Sequence, residues 1–99
     1  MDIRHTFQDI QFEWDSTKAE SNLAKHSVDF ETACETFFDP FVLALEEEQY
    51  GDELRETLIG MTLQWNILCV IYTLRRGDIF RIISARPATP EERRYYENQ

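Results

Sequence analysis

The sequence predicts an α+β domain: two N-terminal helices, a mostly antiparallel sheet of about four to five strands, and one C-terminal helix. Three observations carry this. Apolar residues recur at helical spacing before Asp39-Pro40 and at strand-like spacing after it. The run Ile67-Leu68-Cys69-Val70-Ile71-Tyr72 is apolar at every position, as a central strand covered on both faces requires. Thr89-Pro90-Glu91-Glu92 supplies an N-cap, a first-turn proline and the closing acid of a capping box.

Element by element, residues 1–9 show little pattern and are expected to be a loosely ordered lead-in. Ile10, Phe12 and Trp14 alternate with polar residues, which predicts a short strand. Asp15 then reads as the N-cap of a helix over 16–26, with Ala19, Leu23 and His26 inward and Lys18, Asn22 and Lys25 near its edge. Asp29 is a second N-cap. Phe30, Ala33, Cys34 and Phe37 follow at helical spacing for about two turns, stopped by Asp39-Pro40. Strands are expected over 41–45, 54–61 and 67–74, with 46–52 as an acidic loop. Arg76-Gly77 suits a tight hairpin into a last strand over 78–85, a register that would set Tyr72 opposite Arg81 on one face.

A chain of 99 residues, 42% hydrophobic and 13% aromatic, is one globular domain with enough core to fold without staples. Residues 1–99 therefore read as a single domain. No apolar run approaches the ~20 residues of a membrane span, and no signal-peptide core follows Met1, so a cytoplasmic location is expected. Cys34 and Cys69 sit in apolar patterns and read as buried thiols. With only His5 and His26 beside them, neither a metal nor another cofactor is expected.

The net charge of −9 lies wholly in the first half, where three Lys or Arg face twelve Asp or Glu; residues 51–99 balance at seven each. Such a chain resists non-specific attraction to nucleic acid, so any phosphate-binding site must be local. From position 51 onward every basic residue is an arginine. A guanidinium within an apolar strand, as at Arg81, needs an anion, either a carboxylate or a phosphate.

Several short pieces, in order, resemble the BrnT family, the toxin half of a type II toxin–antitoxin pair. They are Phe12-Glu13-Trp14-Asp15, Lys18, Asn22, Lys25-His26, Val28, Phe30-Glu31 and Ala33, then Asp39-Pro40, Arg55, Ile59-Gly60, Val70 and Tyr72-Thr73. The series closes with Arg81-Ile82-Ile83-Ser84-Ala85-Arg86, Ala88, Glu92-Arg93 and Tyr96. Each piece is short; their collinear order makes the case. The resemblance implies a RelE-like fold and a ribonuclease that inhibits translation. Cleavage would proceed without metal, through attack of the ribose 2′-hydroxyl on its phosphate. It implies neutralisation by a BrnA-like ribbon-helix-helix antitoxin, with operator DNA touched only through that antitoxin. Two departures stand out. Ser27 replaces the family's usual glycine after Lys-His, and Glu46-Glu47-Glu48 adds acid to a type of protein that is commonly basic.

Metal-free cleavage needs a base, an acid and cations on the phosphorane. His26 is the natural acid/base, with packing against Trp14 as its plain alternative. Lys25 beside it, Arg55 and Arg86 are candidate catalytic cations, and Glu13 a candidate base or arginine orienter. Lys18, Tyr72 and Arg81 are candidate RNA contacts. Every arginine has salt bridging as its alternative, and Tyr72 a place in the core. Arg93, Arg94, Tyr95 and Tyr96 read as a stacking or partner-docking surface. The competing functional readings are a non-catalytic antitoxin-binding module descended from such a toxin, and a domain binding a small phosphorylated ligand.

Overall fold

The computed structural model describes residues 1–99. Two strands lead: β1 (Asp2–Phe7) and β2 (Ile10–Asp15). Helices α1 (Ser16–His26) and α2 (Phe30–Glu35) follow, the latter tightening into a 3-10 turn at Thr36–Phe38. Strands β3 (Leu43–Tyr50), β4 (Glu53–Met61), β5 (Ile67–Arg75) and β6 (Ile79–Pro87) lead to α3 (Pro90–Glu97). One six-stranded sheet runs in the order β1-β2-β6-β5-β4-β3, antiparallel except where β2 lies parallel to β6. The expected α+β class and three helices are present, and β5 is interior as its apolar run requires. No helix is long and apolar enough to cross a membrane.

Two expected loops are strands instead. Within residues 1–9, Asp2–Phe7 form β1, whose Ile3, His5 and Phe7 turn toward the core while Gln8 and Asp9 close a two-residue hairpin with φ of 50° and 67°. The pairing of β1 along all six residues of β2 supplies the order that its weak pattern does not advertise. Glu46–Glu48 continue β3 at the sheet's edge, across from β4, where glutamates tolerate exposure and discourage pairing with another chain.

The main core lies between α1 and α2 and one face of the sheet. Phe12 and Phe30 are fully buried there, with Trp14, Val70, Ile82 and Ala85 around them. Phe37 meets Phe12, Phe80 and Tyr72 with ring centroids 5.1, 5.1 and 4.9 Å apart. Gly60 permits the 3-10 turn to press on β4, because a Cβ there would come within 2.9 Å of Thr36. A smaller cluster of Ile59, Ile67 and Tyr96 attaches α3 to the opposite face.

The inner stripe of α1 departs from expectation. Leu23 is half exposed and Asn22 is buried. The Asn22 amide donates to the Val28 and Ala85 carbonyls (3.0 and 2.7 Å), and its oxygen accepts the Ala85 N–H (3.1 Å). Three well-formed hydrogen bonds offset its desolvation and fix the helix to β6, which a leucine at that position does not achieve.

Candidate active site

The register of β5 and β6 decides where the candidate side chains go. Arg81 pairs with Thr73, and Tyr72 with Ile82, so the expected Tyr72–Arg81 pairing is off by one residue. A one-residue slip reverses the face. Tyr72 therefore packs among Phe37 and Phe80 in the core, its hydroxyl pKa raised first by burial and then by Glu56 and Glu47. A bulge then leaves one extra residue in β6 between Ile82 and Ser84. That bulge restores parity, so Arg81 and Arg86 share the face away from α1 although they are five residues apart. Arg55 joins them, one residue from the Glu56–Tyr72 pair.

Sharing a face does not gather these guanidiniums. Five residues of strand separate Arg81 from Arg86 by about 15 Å. Each also has its own acid. Arg81 donates to Glu13 at 2.9 Å and to Asp2 at 3.1 Å, and Arg4 approaches Glu13 at 3.6 Å. Although burial opposes its charge, those two carboxylates raise the Arg81 pKa, and Arg81 in turn lowers that of Asp2. Arg55 donates to Glu53 at 2.9 Å while its guanidinium lies 4.4 Å from the centre of the Tyr50 ring. Arg86 grips Glu92 with two parallel bonds of 2.7 and 2.9 Å and holds that carboxyl down at about 2.

The Arg86–Glu92 clamp and the Asn22 bracket meet at one place, the end of β6. Asn22 fixes the C-terminal half of α1 to Ala85; Arg86, the next residue, fixes the first turn of α3. Thr89 and Glu92 complete the predicted capping box at the same turn. These two anchors bring His26, at the end of α1, and Arg93, in α3, to the walls of one cleft of about 420 Å³. Gln64, Asn66, Asp29 and Pro87 also line it. That volume is in the range of small-ligand sites.

Arg93 is the arginine that lines the cleft, and Lys25 and Lys18 lie outside it on α1. Arg93, Lys25 and Lys18 form no ion pair, unlike the three strand arginines of the prediction. Lys25 is exposed beside His26, and Lys18 stands two turns earlier on nearly the same stripe of α1. His26 does not pack on Trp14; His5 of β1 takes that place, its ring centroid 5.5 Å from the indole. Ser27 ends α1 in the left-handed conformation (φ 59°), the geometry that glycine adopts without cost. The sequence marks Arg93 only as part of a stacking or partner-docking surface with Arg94, Tyr95 and Tyr96, whereas the structure sets it in the cleft wall. No group of three or more His, Cys, Asp or Glu side chains is arranged to hold a metal.

Comparison with known proteins adds two findings. A family model described as "Ribonuclease toxin, BrnT, of type II toxin-antitoxin system" matches residues 14–92. Among solved structures, the crystal structure of the Brucella abortus ribonuclease toxin BrnT is similar, at 25% identity and a TM-score of 0.52. The match covers 77% of this chain and 92% of that one. No curated protein matches.

Proposed function

Because the chain belongs to the BrnT family of ribonuclease toxins of type II toxin–antitoxin systems, we propose that it cuts RNA in the His26–Arg93 cleft, without metal. The observation that supports this most is the convergence of an imidazole and an unpaired guanidinium in one cleft, each wall anchored to the end of β6. The 2′-hydroxyl next to the scissile phosphate gives its proton to a base and attacks phosphorus. The 5′-oxygen leaves with a proton, and a 2′,3′-cyclic phosphate remains. His26 serves as the proton-transfer group. Arg93 and Lys25 stabilise the charge that gathers on the phosphorane oxygens. Lys18 continues the cationic stripe along α1 for a neighbouring phosphate.

In this reading the remaining candidates divide. Arg86 acts through Glu92, as a positioning residue for Arg93. Glu13, Arg81 and Tyr72 serve the fold. Arg55, stacked on Tyr50 at the sheet's open face, contacts RNA only where a phosphate displaces Glu53. The cognate antitoxin of the pair is a BrnA-like ribbon-helix-helix protein, and operator DNA is reached through it, since a chain of net charge −9 has little affinity for DNA of its own. Action on RNA during translation places the working chain in the cytoplasm.

The decisive measurement is product chemistry. Purified protein incubated with RNA in EDTA should release fragments ending in 2′,3′-cyclic phosphate, and a single 2′-deoxy substitution at the cut position should abolish that cut. Cleavage that survives the deoxy substitution, or requires a divalent ion, overturns the mechanism. RNA left intact, with and without ribosomes, by a chain that still binds its antitoxin would instead establish the non-catalytic module.

A further inference from the structure

Three large apolar side chains stand out into solvent around a second groove. Phe41, Leu63 and Trp65 are 62%, 69% and 82% exposed, and all three line a groove of about 710 Å³ between the Asp39–Phe41 segment and α3. Hydrogen bonds hold the backbone turn that presents Leu63 and Trp65. The Trp65 N–H donates to the Thr62 carbonyl, Thr62 N–H to the Asn66 carbonyl, and Asn66 N–H to the Thr62 hydroxyl, at 3.0, 2.9 and 3.1 Å. Leu63 N–H is held by the Glu35 carboxylate at 3.0 Å. Within that turn Trp65 adopts a φ of 67°, which bulky residues rarely do. Large exposed apolar side chains gathered around one groove mark an interaction surface.

Charge narrows the occupant. The groove's ionisable lining is Glu35, Asp39, Glu97 and Tyr96, with no lysine or arginine. Asp39 is already engaged by Tyr96, Met61 N–H and Phe41 N–H, which leaves Glu97 and the outer oxygen of Glu35 facing any ligand. A phosphate backbone is repelled there, and so is a second copy of a chain that carries −9. We propose that this groove seats an amphipathic helix with a Lys- or Arg-bearing flank, supplied by the cognate antitoxin. The proposal rests on the toxin reading above. It also offers a route to inhibition, because the same turn that sends Leu63 and Trp65 into the groove sends Gln64 and Asn66 into the His26–Arg93 cleft. A helix gripping Trp65 therefore lies alongside the entrance for RNA.

The test titrates purified co-encoded antitoxin into the wild-type chain and into Trp65→Ala, Phe41→Ala and Glu97→Lys, with circular dichroism to confirm folding. Trp65→Ala should weaken binding by about 30-fold or more, as a central aromatic anchor does. Its RNA cleavage without antitoxin should match wild type, and inhibition by antitoxin should be lost. Glu97→Lys should weaken binding and reduce its salt dependence. Wild-type affinity in both Trp65→Ala and Phe41→Ala overturns the docking site while leaving the toxin reading intact. If sedimentation shows that Trp65→Ala disrupts a dimer of the free chain, the groove belongs to a second copy and the proposal fails. A wild-type chain that binds no antitoxin removes both.

Discussion

Strand β6 carries two arginines on one face, Arg81 near its start and Arg86 near its end, and their surroundings differ in what they leave free. Around Arg81 all charge is consumed. Glu13, Asp2 and Arg4 knit β6 to β2 and β1, and the Arg81 side chain is only 15% exposed. Around Arg86 the ion pair is just as short, yet its effect is to aim α3 so that Arg93 reaches the cleft opposite His26. The lesson concerns what makes a residue conspicuous. An arginine inside an apolar strand stands out in a sequence because it needs a partner there, and the partner neutralises it. The cations that remain available are those on exposed helical turns, where nothing in the sequence draws the eye.

The sharpest way to break this comparison is through activity. His26→Ala should lower the RNA cleavage rate by about 10²–10⁴-fold. Arg93→Ala should cost about 10²-fold or more, as loss of one preorganised donor to a transition-state oxyanion does. Both side chains lie outside the hydrophobic clusters, so melting temperatures should hold. Arg55→Ala, on the open sheet face, should change the rate by less than tenfold. Were Arg55→Ala to match His26→Ala, the active site would belong on the sheet face and the cleft would be incidental.

Next in size is the cost of removing Arg81. Arg81→Met strands the Glu13 carboxylate, which is 5% exposed, beside Arg4 at 3.6 Å alone. Breaking a largely buried pair in this way should lower the unfolding free energy by about 2–4 kcal/mol. The double change Arg81→Met with Glu13→Leu should recover most of it, because no charge is then left without a partner. Urea unfolding measures both. Cleavage per folded molecule should stay near wild type, and a folded Arg81→Met protein without activity would refute the assignment of Arg81 to the scaffold.

The second arginine gives a pH signature. Arg86 holds the Glu92 carboxyl at about 2, below its ordinary 4.5. A carboxyl whose folded pKa is depressed stabilises the fold fully above the unfolded value, and that contribution disappears as pH falls from about 4.5 toward 2. Because the Arg86 side chain is itself 36% exposed and screened, the clamp should be worth about 1–2 kcal/mol. Glu92→Gln should remove that amount at neutral pH and flatten the acid limb of stability between those two values. Its cleavage defect should follow the displacement of Arg93, with catalysis reduced more than RNA binding.

How much of this was legible beforehand follows from the physics of each segment. The caps at Asp15, Asp29 and Thr89 and the apolar run of β5 were readable because local chemistry alone determines them. Strand β1 was not, since its hairpin turn is Gln8-Asp9 rather than a glycine pair and its order comes from pairing with β2. The edge half of β3 hid behind three glutamates. Tyr72 and Arg81 part company because Arg75 pairs with Ile79, which makes the hairpin loop Arg76-Gly77-Asp78 one residue longer than the expected turn, and the bulge in β6 that sets Arg81 and Arg86 on one face has no sequence marker at all. Of the proposed site, His26 was legible from the chemistry of imidazole and Lys25 from its place beside it in the family resemblance, whereas the place of Arg93 in the cleft depends on the two anchors at the end of β6.

The smallest predicted effect tests whether the end of α1 that lines the cleft is tuned for strain or merely tolerates it. Ser27 follows His26, and its φ of 59° leaves its Cβ crowded against backbone that glycine would clear. Ser27→Gly keeps the closing bond from the Ser27 N–H to the Leu23 carbonyl, at 2.9 Å. Relief of crowding is partly offset by the extra freedom of glycine in the unfolded chain. The net gain should be about 0.5–1 kcal/mol, which raises the melting temperature by roughly 2–8 °C for a domain of this size. Cleavage should change by less than twofold, since Asn22 rather than Ser27 fixes where the helix end lies. If Ser27→Gly stabilises the protein yet slows cleavage by tenfold, the hydroxyl of Ser27, a residue of the same cleft, takes part in the chemistry, and the Arg86 end of β6 serves one more functional group than the contrast between Arg81 and Arg86 allows.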